Sequence, residues 1–150
     1  MTSEATPLSG YAVLDHTADV GLAAWGATPA DAFVQAGRGM FAVIFGAATP
    51  WPSIADSTET REVEVGGPDW SDLLVNWLAE LLFLFETERF IAVSMRVEVC
   101  KPPVCRAQLS GHRLPEGEVP AGLMIKAVTY HQIQVNLTPL ETDLRVILDV

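Results

Sequence analysis

Short runs in which apolar and polar residues alternate follow Arg89, and this alternation constrains the fold more than any other feature. In residues 91–99 every second position is apolar, which predicts a β-strand with one buried face. Pro102-Pro103 predicts a turn, so residues 104–109 form the returning strand of a hairpin. Further strands are predicted at residues 123–129, 132–137 and 144–150. The second half of the chain is therefore expected to be antiparallel sheet.

Two segments of the first half have helical periodicity instead. Thr28 is a favourable N-cap, Pro29 suits the first helical position, and Gly46 predicts the end of the helix. Its apolar face comprises Phe33, Ala36, Gly37, Met40, Phe41 and Ile44. A second helix is predicted to begin near Asp69. Because apolar residues, including Phe83, cover most of its circumference, we expect it to be buried on more than one side. A docking face for a partner on part of this helix is the less favoured alternative.

The predicted elements are two helices and seven or eight strands, mostly joined as hairpins. This order predicts an α+β fold, with mostly antiparallel β-sheet and two principal helices packed on it. The chain has 150 residues, of which 49% are hydrophobic, and this is sufficient for a single compact domain. We expect that domain to span residues 10–150, preceded by a flexible leader at residues 1–9.

The charge limits the possible partners. The net charge is −10, and only nine Lys and Arg residues are present, scattered along the chain. Autonomous binding of nucleic acid needs a basic surface, so we expect affinity for cations or for a basic protein instead. Solubility alone is the simpler explanation of the acidic charge. The start of the chain lacks a signal peptide, and the longest apolar stretch is too short for a membrane span, which predicts a cytoplasmic protein with no membrane partner.

Two cysteines, Cys100 and Cys105, flank the predicted turn at Pro102-Pro103. No second Cys or His pair lies at the spacing of a zinc site. A disulfide is not expected in a reducing cytosol. We therefore interpret them as thiols beside a hairpin turn, with metal or redox chemistry as the less favoured alternative.

Acidic residues near both ends of the sequence provide the candidate site. Asp15-His16-Thr17-Ala18-Asp19 lies near the start, and the sequence finishes with Asp149-Val150, where Val150 also carries the free α-carboxylate. If the two terminal strands are neighbours, these carboxylates converge into a set of hard oxygen ligands that suits a divalent cation. Asp149 follows an apolar run, so we expect its strand in or beside the sheet interior, where an acid needs a partner or a cation.

Three other polar residues are candidates for the same site. Lys126 lies between apolar neighbours in Ile125-Lys126-Ala127-Val128-Thr129-Tyr130-His131, so it either reaches the surface or meets an acid. His16 and His131 are possible general bases or metal ligands, although a structural histidine is the commoner case. The sequence has no glycine-rich nucleotide loop and no nucleophile or zinc-protease motif. No catalytic residue is assigned, and an enzyme here would be metal-assisted.

These segments together resemble the archease family. The resemblance rests on residues 15–20, on Ala24-Trp25-Gly26, on the two helices, on residues 125–131, and on the final Asp149 with one aliphatic residue. It implies a small α+β protein that activates the GTP-dependent RNA ligase joining 2′,3′-cyclic-phosphate or 3′-phosphate ends to 5′-hydroxyl ends. Such proteins promote guanylylation of the ligase and permit multiple turnover.

The resemblance also implies a metal site. The metal, commonly calcium, is expected at Asp19, Asp149 and Val150, with magnesium or manganese as alternatives. Lys126 is expected close by, and Asp15, His16 and His131 are possible additional site residues. RNA would be contacted only indirectly, through the ligase. Two other functions remain open: a metal-dependent hydrolase or nucleotidyl-transfer enzyme, and a chaperone-like modulator of RNA-modifying enzymes.

Overall fold

The computed structural model describes residues 8–14, 19–46 and 57–150. In chain order the elements are β1 (Gly10–Leu14), β2 (Asp19–Gly26), α1 (Pro29–Phe45), β3 (Glu59–Gly66), α2 (Trp70–Glu88), β4 (Phe90–Lys101), β5 (Val104–Arg113), β6 (Ala127–Leu137) and β7 (Thr142–Asp149). Two helices and seven strands within these ranges confirm the predicted α+β fold.

The strands form two sheets. Sheet A has the order β1-β2-β7-β6, and sheet B has the order β3-β5-β4. Every strand pair in the described part of the chain is antiparallel, as predicted. Strand β7 is interior to sheet A, paired with β2 on one side and β6 on the other. Strands that are far apart in sequence are therefore central neighbours in space.

Local capping explains where the helices begin and end. The Thr28 hydroxyl accepts the Asp31 N–H at 3.1 Å, and Gly46 ends α1 with a φ of 82°. At the start of α2 the Asp69 carboxylate accepts the Asp72 N–H at 2.9 Å. The side chains of the two N-caps, Thr28 and Asp69, each accept an N–H that has no partner inside the helix. The predicted caps are thereby confirmed.

The helices pack against both sheets and against each other. Helix α1 contacts β1, β2 and β7 of sheet A and β4 of sheet B, and α2 contacts β6 as well as all strands of sheet B. Gly37 lets α1 pack closely on α2 and β4, because a Cβ there would lie 2.8 Å from Leu81 Cδ1 and 2.9 Å from Met95 Sδ. The Trp77 indole N–H donates to the Phe33 carbonyl at 2.8 Å inside this core. The largest fully buried side chains are Trp77, Phe33, Phe41, Phe90, Leu22 and Met40.

The segment before β6 differs from the prediction. Residues 123–126 are not a strand, and β6 extends from Ala127 to Leu137, so it joins parts of the two predicted strands, with irregular pairing to β7 between Thr129 and Gln134. The Gly122 and Leu123 N–H groups instead donate to the carbonyls of Ile44 and Val43, each at 2.9 Å. The last carbonyls of a helix lack intrahelical partners, and these contacts satisfy two of them. The N–H groups of Gly122 and Leu123 are thereby bound to the end of α1 rather than to a strand, whereas Lys126 already donates its N–H to Asp149 of β7.

Two further expectations concern the second helix and the hairpin. The sequence predicts a buried Phe83, but Phe83 is 56% exposed and lies at the edge of the contact between α2 and β3, beside an open pocket that it lines with Val65 and Gly66. The turn between β4 and β5 lies at Pro102-Pro103, as predicted.

Residues 1–7 of the expected leader lie outside the described residues, so the boundary between leader and domain stays a prediction. No helix in the described ranges is long and apolar enough to cross a membrane.

Candidate metal centre

Asp19 and Asp149 lie directly opposite each other at one end of sheet A. Asp19 is the first residue of β2, Asp149 is the last of β7, and the two are register partners in the antiparallel ladder. Directly opposed residues of an antiparallel pair project their side chains to the same face, with Cβ atoms about 4.5–5.5 Å apart. The structure therefore brings together two of the predicted ligands that are distant in sequence.

The pair lies on the face of sheet A that points away from the helices. The next residues inward, Val20 and Leu148, are paired with each other and buried in the core. Because side chains alternate between the faces of a strand, Asp19 and Asp149 must point to the opposite side. Both are half-buried, so their carboxylates remain accessible to an ion or to a partner.

Lys126 and Val150 lie at the same end of the sheet. The Lys126 N–H donates to the Asp149 carbonyl at 2.7 Å, and the next residue, Ala127, is the register partner of Asp149. The Lys126 side chain is exposed, and the ion pairs found in the described residues do not include it. Of the two predicted alternatives, Lys126 thus follows the first and reaches the surface. The Val150 side chain packs against the core.

The remaining candidates are not brought to the acid pair. Asp15 and His16 lie outside the described residues. His131 is exposed in the irregular part of β6, where pairing with β7 is interrupted between Thr129 and Gln134. It is four residues beyond Ala127, roughly 13 Å along an extended strand.

Tyr130, the neighbour of His131, is instead tied to the second helix. Its hydroxyl donates to the Asp72 carboxylate at 2.7 Å, and this hydrogen bond to the carboxylate raises the pKa of Tyr130. The contact connects β6 to the first turn of α2. Tyr130 thus stabilises the packing of β6 against α2, at a position separate from the acid pair.

The donor chemistry of the acid pair fits a divalent cation. Carboxylate oxygens are the ligands preferred by calcium, magnesium and manganese, and two opposed anions are destabilised unless a positive charge lies between them. Asp19 and Asp149 contribute two carboxylates. In residues 8–14, 19–46 and 57–150, no group of three or more His, Cys, Asp or Glu side chains is arranged to hold a metal. The metal site therefore stays a prediction.

The two cysteines face each other across the β4–β5 hairpin. Cys100 and Cys105 are register partners, and both are free thiols. The hydrogen bond with Cys105, reinforced by burial, raises the pKa of Cys100. Cys105 is fully buried against the core. The expectation of thiols beside a hairpin turn is confirmed.

A groove that is not predicted from the sequence lies at the C-terminal ends of the two helices. We call it the helix-end groove. It has a volume of about 490 Å³ and lies between the last turns of α1 and α2 and residues 118–125. Its apolar walls comprise Ile44, Leu82, Phe85, Val119, Leu123 and Met124. The only signal in the sequence is Val119 in a polar loop, followed closely by the apolar residues Leu123, Met124 and Ile125.

Comparison with known proteins identifies the family of this chain. Residues 11–150 match the archease protein family (MTH1598/TM1083). The archease of Methanosarcina barkeri is 34% identical over 144 residues, which cover 93% of this chain and 95% of that protein.

Two solved structures share the fold. The solution structure of Methanobacterium thermoautotrophicum protein 1598 matches with a TM-score of 0.75 and 28% identity, over 94% of this chain and 99% of that one. The crystal structure of an archease and possible chaperone from Thermotoga maritima matches with a TM-score of 0.54 and 14% identity over the whole of both chains, which shows a common fold only. By its sequence match over residues 11–150, supported by its fold, this chain belongs to the archease family.

Proposed function

We propose that this protein is a cytoplasmic accessory factor that activates a GTP-dependent RNA ligase of tRNA splicing or RNA repair. It promotes guanylylation of the ligase and allows multiple turnover, and it contacts RNA only through the ligase. Family membership and the resemblance of the Asp15–Val20 and Ile125–His131 segments support this function. The observation that carries it is the position of Asp19 opposite Asp149 at an accessible end of sheet A.

Asp19, Asp149 and Val150 are the proposed ligands of a divalent metal. Calcium is the first choice, and magnesium and manganese are alternatives, because all three prefer oxygen ligands. When bound, the ion neutralises the two opposed carboxylates and fixes their geometry. Asp19 and Asp149 then present an ordered surface to the partner instead of two repelling anions.

Other residues would act around this centre. Lys126 is held beside it by the hydrogen bond from its N–H to Asp149, and its exposed side chain can reach an anionic group of the ligase or its nucleotide. Asp15 and His16 precede Asp19 closely in sequence and are proposed as additional contacts. His131 lies further along β6, and of these residues it is the least strongly supported as a contact of the site.

Ligase turnover tests this proposal. Joining of a 3′-phosphate RNA to a 5′-hydroxyl RNA is measured with the ligase alone and with wild-type protein, in calcium, in manganese and with a chelator. We expect stimulation by wild type, and its loss in Asp19→Asn, in Asp149→Asn and in a protein extended beyond Val150. Asp143→Asn is the matched control, because Asp143 lies at the other end of β7 on the same face. Full stimulation by a folded Asp149→Asn variant would refute the proposal.

Two alternative functions make different predictions. A metal-dependent hydrolase or nucleotidyl-transfer enzyme that uses the same acids would show turnover by the isolated protein when metal is added. A chaperone-like modulator, the role suggested in the name of the Thermotoga maritima relative, would bind its client through apolar surface even after both acids are replaced. A pulldown that compares wild type with Asp19→Asn and Asp149→Asn separates the second alternative from the proposal.

A further inference from the structure

We propose that the helix-end groove is a docking site for an apolar side chain carried by a basic, amphipathic segment of a protein partner. The groove lies between the ends of both helices and the loop that precedes β6. Its identity as a contact with the ligase rests on the proposed function. The chemistry of the groove is independent of the proposed function.

The apolar character of the groove is exposed to solvent. Val119 is 87% exposed, Met124 80% and Leu123 48%, and all three line the same groove. Single exposed apolar residues are common on protein surfaces, whereas several around one concavity indicate a binding surface. A groove of about 490 Å³ accepts one or two large side chains of a partner.

The rim of the groove is negative. Glu86 and Glu118 line it with carboxylates, and both residues are exposed. Both helices also end here, and neither has a basic residue in its last turn. The C-terminal end of a helix carries a partial negative charge. At α1 the hydrogen bonds from Gly122 and Leu123 already satisfy two end carbonyls, so the carboxylates of Glu86 and Glu118 are the main negative charges of the rim. Cationic groups beside the apolar anchor of a partner would therefore be favoured.

One basic residue, Arg89, also lines the groove, and its positive charge partly offsets the two carboxylates. The guanidinium of Arg89 donates to the backbone carbonyls of Leu114, Pro115 and Glu118. The ion pairs found in the described residues do not include Arg89. Arg89 therefore braces the loop that forms one wall, and the carboxylates of Glu86 and Glu118 remain available to a partner.

The groove is connected to the acid pair through the backbone. Ile125 lines the groove, and the next residue, Lys126, donates its N–H to the Asp149 carbonyl. A partner segment seated in the groove is thus placed beside the end of sheet A that carries Asp19 and Asp149. One partner can contact both features at the same time.

A designed peptide tests the chemistry of the groove directly. The probe is a fluorescent helical peptide of leucine and lysine, with leucines on one face, and binding to the full-length protein is measured by fluorescence anisotropy. The two comparison peptides are a scrambled sequence of the same composition and a version with glutamate in place of lysine. We expect the amphipathic lysine peptide to bind at least about tenfold more tightly than either comparison.

Protein variants locate the binding. Met124→Lys places a positive charge in the wall and should weaken peptide binding about tenfold. Leu140→Lys is the matched control, because Leu140 is 86% exposed in the turn between β6 and β7, away from the groove. It should change the affinity less than about twofold. Replacing Glu86 and Glu118 together by glutamine should weaken binding and reduce its salt dependence, whereas Glu98→Gln on sheet B should not.

Several results would overturn the proposal. Equal weakening by Met124→Lys and Leu140→Lys would show that only the total charge matters. Equal binding of the scrambled peptide would show that no apolar anchor is recognised. Binding of a simple alkylammonium ion without binding of the peptide would assign the groove to a small molecule instead.

The ligase assay separates this inference from the proposed function. Met124→Lys should raise the concentration of the protein that gives half-maximal activation about tenfold and leave the maximal rate unchanged. If wild type does not activate the ligase, the proposed function fails. The peptide-binding measurements still test whether the groove is a docking site. If wild type activates and Met124→Lys behaves like Leu140→Lys, the groove proposal fails and the function stands.

Discussion

At the scale of single residues, the unusual feature is a pair of like charges in adjacent strands. Like charges directly opposite each other in an antiparallel pair destabilise it by about 0.2–1 kcal/mol relative to neutral residues. Asp19 and Asp149 occupy such positions. We therefore expect their arrangement to cost stability in the isolated fold and the proposed metal to offset that cost.

Replacing one member of the pair should therefore stabilise the metal-free protein. We expect Asp19→Asn or Asp149→Asn to raise the free energy of unfolding by up to about 1 kcal/mol in chelator. Calcium should raise the stability of wild type, because a ligand that binds only the native state stabilises it, and should have no such effect on either variant. Urea unfolding with calcium or chelator measures both effects. Asp143→Asn is the control; a loss of stability of Asp19→Asn in chelator would contradict the repulsion.

The acid pair was predictable from the sequence, but the groove was not. Asp149 lies in the strand predicted at residues 144–150, and only the pairing of that strand with the one that carries Asp19 had to be assumed. The exposure of Val119 and Met124 depends on how their loop docks onto the ends of the helices. Phe83 was misassigned for the same reason, since periodicity alone does not reveal which strip of an apolar helix is left uncovered.

At the scale of elements, the loop that precedes β6 connects α1 to the rest of the fold. Its backbone N–H groups satisfy carbonyls at the end of α1, and Arg89 braces its other end. Helix caps were predictable because they depend on side chains within a few residues. The start of β6 was not, because it depends on contacts of the preceding loop with the end of a distant helix.

Gly122 makes this connection possible, and its replacement should break it. A Cβ at Gly122 would clash with the backbone carbonyl oxygens of Val43 and Ile44, which cannot move independently of the helix. We expect Gly122→Ala to lower the free energy of unfolding by about 1–3 kcal/mol in urea titrations. Gly66→Ala is the control, because a Cβ there meets only the Pro103 carbonyl at 3.4 Å. Equal stabilities of the two variants would show that the loop is not tightly docked.

At the scale of the whole molecule, the helices join the two sheets into one core. Each helix contacts strands of both sheets, and the buried side chains of all these elements form one cluster. We therefore expect the two sheets to unfold together rather than as separate units.

Paired core substitutions test this cooperativity. Leu148→Ala removes a fully buried side chain from sheet A, and Leu109→Ala removes one from sheet B. Each should lower the free energy of amide hydrogen exchange by about 2–4 kcal/mol in both sheets. A loss confined to the sheet that carries the substitution would show that the sheets are independent units.

The pairing of β2 with β7 has a consequence for how the protein is made. Both helices, sheet B and β6 are encoded between these two strands, so β2 emerges from the ribosome long before its central partner. Until Asp149 has left the exit tunnel, one edge of β2 has no strand to pair with, and such edges favour association with other chains. Contacts between residues so distant in sequence also form slowly. The nascent protein therefore completes its core, and first assembles its acidic pair, only after β7 has been synthesised and has left the exit tunnel.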